Sequence, residues 1–87
     1  MFENSMKYLI VEEKGLHVPI IFHPVFEHIA IAGDMKVISG GFCRVINGRQ
    51  QSNIRVDVWG ESVGCKVHAM SSDKELLEKW LTKPEGR

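Results

Sequence analysis

The stretch Ile54-Arg55-Val56-Asp57-Val58-Trp59 alternates without a break between aliphatic side chains and polar or aromatic ones. Successive side chains of a strand point to opposite faces, so a period of two specifies a half-buried β-strand here and excludes an amphipathic helix. Ile54, Val56 and Val58 face one way; Arg55, Asp57 and Trp59 face the other. The same period recurs on both sides. "VGCKVHAM" alternates Val63, Cys65, Val67 and Ala69 with Lys66 and His68. "KVISGGFCRVI" reads as a long strand from Lys36, with Gly40–Gly41 inside it as a bulge or a close backbone approach. "NGRQQSN" is a polar loop and "GES" a turn. The three strands form an antiparallel meander.

Upstream, "MKYLIVEE" and "LHVPIIFH" read as two strands around the turn signal "EEKG", a hairpin. Pro19 cannot donate to a ladder, which sends its strand to a sheet edge or a bulge. "PVFEHIAIAGDM" changes period: Pro24 suits a first helical position, Val25, Phe26, Ile29 and Ala30 follow helical spacing, and Gly33 suits a C-cap. "SSDKELLEKWLTK" is a second helix. Ser72 and Glu75 make a capping box, Leu76, Leu77, Trp80 and Leu81 an apolar stripe, and Pro84 a stop. The expected fold is α+β: a small antiparallel sheet in the order β-β-α-β-β-β-α, with the C-terminal helix packed on one face. Residues 1–5 form an N-terminal extension, 6–83 a single domain and 84–87 a C-terminal tail.

Composition limits the function classes. The 87 residues suffice for one domain, and 44% hydrophobic with 25% charged residues is globular rather than disordered. Eleven basic residues balance eleven acidic ones, so the chain has no global surplus for phosphate binding. No apolar run approaches a membrane span, the N-terminus lacks the pattern of a signal peptide, and two cysteines without such a signal suit a reducing cytoplasm.

"MKYLIV", the "GF.RV" of Gly41–Val45, the "V.VWGES" of Val56–Ser62 and the closing "SSDKELL" resemble small uncharacterised proteins encoded in phages and prophages. The resemblance spans residues 6 to 82. It implies a cytoplasmic life in a bacterial host and brings no activity and no site residues with it.

Four groups of residues could carry chemistry. "FHPVFEH", residues 22–28, holds His23 and His28, and His17 lies six residues before the first. His17 and His23 share a strand face but lie about 20 Å apart along an extended chain. His23 and His28 straddle a turn, and no H-E-x-x-H or C-x-x-C supports them as ligands. The expectation is a structural corner, with His28 on the exposed side of a short helix. A metal site or acid–base pair at His23 and His28 is the alternative. Cys43 and Cys65 sit two strands apart in the meander, about 9.6 Å, beyond disulfide reach. Arg44, Arg49 and Arg55, with Asn47, Gln50, Gln51 and Asn53 among them, form an acid-free run able to face nucleic acid. Trp59, beside Arg55 and Asp57 on a polar face, suits an interface anchor. No convergent nucleophile or acid–base cluster and no cofactor or metal motif stands out. The chain therefore reads as a binder rather than an enzyme. Its expected partners are an unidentified protein and a second copy of itself as a homodimer, with nucleic acid as the alternative and no membrane.

Overall fold

A computed structural model describes residues 5–46 and 54–82. The order is β1 (Ser5–Glu13), β2 (Leu16–Phe22), α1 (His28–Ala32), β3 (Lys36–Ile46), β4 (Arg55–Trp59), β5 (Glu61–Ser62), β6 (Val67–His68) and α2 (Ser71–Thr82). Four strands form one antiparallel sheet in the order β2-β1-β3-β4, and β5 and β6 make a separate two-stranded hairpin. The α+β class and the C-terminal helix packed on the sheet are as the sequence indicates. Among the described residues no helix is long and apolar enough to cross a membrane. The first four residues of the expected extension, the loop 47–53 and the expected tail 84–87 lie outside the described residues.

The hairpin of β1 and β2 closes at Lys14–Gly15, with φ of 53° and 81°. Positive φ at both central residues gives the two-residue turn whose twist matches that of the strands. Pro19 sits in β2, an edge strand. The central strand β1 is buried on both sides: Tyr8, Leu9, Ile10 and Val11 are all buried in succession. Tyr8 and Ile10 join Cys43, Val56 and Leu77 in one core beneath α2. Leu9 and Val11 join Phe22 and Ala32 in a second core on the opposite face, with Ile31 and Cys65 packed against it. A strand buried on both faces reads as a continuous apolar run, which "YLIV" is.

Gly40 and Gly41 mark a close approach. A Cβ on Gly40 would sit 2.8 Å from Leu9 Cδ2, and one on Gly41 would sit 2.6 Å from the Trp59 carbonyl oxygen. The backbone leaving β4 crosses β3 at Gly41 and leaves no room for a side chain there; at Gly40 the close atoms belong to Leu9 and the Tyr8 carbonyl of β1. Gly40 and Gly41 pair in regular register with Leu9 and Tyr8, and the irregularity of β3 falls instead at Ile38, between the Ile10 and Val11 pairings.

Four local expectations are overturned. The stretch "VGCKVHAM" is no continuous strand. Residues 63–66 form a turn, Lys66 takes φ 59°, and only Val67–His68 pairs, with Glu61–Ser62. Gly64 and the left-handed Lys66 break the ladder that alternation alone suggests. Helix α1 begins at His28 rather than Pro24, and residues 24–25 belong to a turn, although Gly33 is its C-cap as expected. The stripe of α2 is Leu76, Leu77 and Leu81; Trp80 is 41% exposed. The capping box also moves. The helix starts at Ser71, and the carboxylate of Asp73, not Glu75, reaches back to accept the Met70 N–H at 3.0 Å.

Candidate functional site

The register places one transverse row on the face opposite α2: Phe22, Lys7, Phe42 and Trp59, each the cross-strand neighbour of the next. Phe42 and Trp59 stack, with centroids 6.2 Å apart and planes 18° from parallel. The next rows outward on the same face hold Ser5, Arg44 and Asp57, then Ile46 and Arg55. Arg44 pairs with Asp57 at 3.5 Å. Both side chains are exposed, so the pair contributes at most about 1 kcal/mol. Trp59 is 41% exposed, and Arg55 and Asp57 are exposed beside it. The expected alternation of β4 therefore holds, and the face it presents also carries Phe42, which sequence reasoning did not place there. Arg44 and Arg55 share this face; Arg49 lies outside the described residues.

The histidines separate. His23 is exposed, and its Nδ1 accepts the Val25 N–H at 3.0 Å, which caps the turn after β2. His17 is exposed on β2. His28, expected on the exposed side of its helix, is buried with 6% exposure. Its later helix start rotates it inward, where its ring stands edge-on to Phe22 (5.4 Å) and Phe42 (6.0 Å). Its Nε2 lies 2.9 Å from the Gly41 carbonyl oxygen. A carbonyl only accepts, so Nε2 carries the proton. Among the described residues no three His, Cys, Asp or Glu side chains come together as a metal site.

Cys43 and Cys65 are free thiols in opposite cores. The faces of the sheet separate them, rather than an intervening strand. Burial pushes the Cys43 thiol up to about 11, the reverse of what a thiolate nucleophile needs.

The most connected polar group is one the sequence did not single out. Asp73 is only 4% exposed. Its Oδ2 accepts the Tyr8 hydroxyl at 2.6 Å and the Met70 N–H at 3.0 Å, and its Oδ1 accepts the Ser39 hydroxyl at 2.9 Å. Burial first, and then the bond to Asp73, push the Tyr8 hydroxyl far above its ordinary range. This network ties α2 to β1 and β3. It is enclosed and offers no access to a substrate. Its sequence signal was an Asp three residues into a helix beside a Tyr in an apolar run, which dipole reasoning alone reads as a surface charge.

Both sheet edges are guarded. On β4 the Val56 N–H donates to Glu78 Oε2 at 2.8 Å. The Lys74 ammonium at 2.6 Å, then that N–H, hold the Glu78 carboxyl below the usual range. On β2, Pro19 has no N–H to offer. Proteins block further strand pairing by such means.

Compared with protein-family models, curated proteins and solved structures, the chain matches none.

Proposed function

We propose that the protein acts by binding protein surfaces, the first of them a second copy of itself, through the sheet face that carries Phe42 and Trp59. The observation that carries this reading is the stack of exposed Trp59 on half-buried Phe42, on a face whose neighbouring rows hold both signs of charge. A two-fold axis through that face sets Asp57 of one copy against Arg55 of the other, and a two-fold contact must be self-complementary in this way. The guarded edges favour the face over strand addition. Together with the resemblance to phage and prophage proteins, this supports a small cytoplasmic accessory protein that works by association rather than catalysis.

Light scattering tests it. The expected mass is about twice the 9.9 kDa chain, with Trp59→Asp returning it to monomer. A wild-type monomer at high micromolar concentration refutes self-association. A dimer indifferent to Trp59→Asp refutes this face.

A second reading has its own observation. Arg44 and Arg55 share one sheet face with exposed Trp59 and half-buried Phe42, an arrangement on which single-stranded bases stack. Asp57 opposes it by neutralising Arg44. Binding of single-stranded DNA that falls steeply with salt, and that loses both affinity and salt slope in the Arg44, Arg49 and Arg55 triple alanine variant, would replace the first reading.

A further inference from the structure

A cleft of about 220 Å³ opens between the start of α1 and the turn 61–64, with Lys7 and Phe42 in its lining. Two buried polar side chains line it from opposite sides. His28 commits Nε2 to the Gly41 carbonyl, so the tautomer that makes this bond has its acceptor at Nδ1, and no described residue donates to that atom. Ser62, 3% exposed, accepts the Cys65 N–H at 3.4 Å, and no described residue accepts its hydroxyl proton.

Charge surrounds these two atoms unevenly. Lys7 Nζ donates to the Phe26 carbonyl at 2.9 Å and has two further N–H groups. Glu27 and Glu61 line the cleft and pair with no described cation. The lining thus offers donors in Lys7 and Ser62 and acceptors in His28, Glu27 and Glu61. Phe42 and the exposed Ile29 provide apolar surface between them. The volume is below the roughly 300–1,000 Å³ of drug-sized sites, which leaves room for a small metabolite.

We propose that this cleft binds a free α-amino acid with an apolar side chain. Its carboxylate meets the Lys7 ammonium and the Ser62 hydroxyl. Its ammonium donates to His28 Nδ1 and is neutralised by Glu27 and Glu61. Its side chain lies along Phe42 and Ile29. Every polar group of the lining then has a partner, and neither a lone amine nor a lone carboxylate achieves that. The cleft shares Phe42 and Lys7 with the row that carries Trp59, so the titration is run on Trp59→Asp as well, where binding without self-association separates the two sites.

The test is a titration of the isotopically labelled full chain with L-leucine, followed by amide and imidazole nitrogen NMR. Two further arms use 3-methylbutylamine and 4-methylpentanoate, which lack the carboxylate and the ammonium respectively. The expected result is saturable shifts at residues 27–29, 42 and 61–64 and at His28 Nδ1, with each single-charge analogue at least tenfold weaker. Glu61→Gln, an exposed substitution that leaves the cores untouched, is expected to weaken leucine binding about fivefold, the size of a partly exposed ion pair. No saturable shift up to about 10 mM leucine, a limit corresponding to under 3 kcal/mol of binding, overturns the proposal. Equal binding of either analogue, or shifts confined to other residues, overturns it too, and so does unchanged affinity in Glu61→Gln.

Discussion

Replacing Asp73 with alanine should remove a large share of the stability of this domain. The side chain accepts three hydrogen bonds at 2.6, 2.9 and 3.0 Å from Tyr8, Ser39 and the Met70 N–H. Alanine strands two buried hydroxyls, at about 1–3 kcal/mol each, and removes the bond that closes the first turn of α2, about 0.5–2 kcal/mol. Hydroxyls can rotate toward other acceptors, so the lower halves of these ranges apply, about 3–5 kcal/mol in total. A domain of this size has roughly 4–13 kcal/mol to lose. Asparagine separates geometry from charge. Its amide oxygen can take the place of Oδ2 and accept from Tyr8 and Met70. Its amide nitrogen can donate to Ser39 Oγ after that hydroxyl turns. What is lost is charge assistance, about 1–2 kcal/mol. Urea denaturation followed by far-UV circular dichroism should therefore order the variants as wild type, Asp73→Asn, then Asp73→Ala, with similar slopes. Asp73→Ala within 1 kcal/mol of wild type would refute the network as a structural tie. Asp73→Asn as damaging as Asp73→Ala would show that the charge, and not the geometry, carries the effect.

Alkali should unfold the protein early. The Cys43 thiol, raised by burial from 9.0 to about 11, keeps its proton in the folded state after the unfolded chain has lost it. Its contribution is complete below pH 9 and is lost between pH 9 and 11 at about 1.4 kcal/mol per unit. Tyr8, also raised, adds a second proton of slope above pH 10. Cys43→Ala should remove one proton from the slope of stability against pH, and an unchanged slope would contradict its burial. Leu77→Ala should cost about 2–5 kcal/mol. Trp80→Ala should cost no more than about 1 kcal/mol in urea denaturation, as for a half-exposed side chain, and the reverse order would turn α2 over. Gly41→Ala forces its Cβ toward the Trp59 carbonyl and should lower stability by about 1–3 kcal/mol; a neutral result would mean that β4 can retreat.

The alternation of Ile54–Trp59, the Lys14–Gly15 turn, the Gly33 cap and the edge position of Pro19 were legible because each depends on local geometry. The failures arose where tertiary contacts decide. His28 turns inward because the sheet offers Phe22, Phe42 and the Gly41 carbonyl. Helical spacing from Pro24 cannot reveal this when the helix begins four residues later. Trp80 looks like core by hydrophobicity, yet Leu76, Leu77 and Leu81 already fill the space over β4. Of the interface candidates, Trp59, Arg55 and Asp57 lie together as period two requires. Phe42 joins them only through the pairing register, which no single strand encodes. The cleft was hidden for the same reason, because Lys7, His28 and Ser62 come from three segments far apart in the chain.

The bond between Tyr8 and Asp73 spans 65 positions. The innermost strand finds both neighbours, β2 and β3, by about the middle of the chain, but its Tyr8 and Ile10 face stays uncovered until the last helix arrives. During synthesis, β1, β2 and β3 can pair, but β1 lacks α2 as a cover until almost all of the described chain has left the ribosome. Contacts of such long range make folding slow, on the order of milliseconds to seconds. For that interval the Tyr8 and Ile10 face of the sheet is an uncovered apolar surface of the kind that recruits chaperones or seeds aggregation. Loss of α2, by a frameshift or a protease, would return the chain to that state.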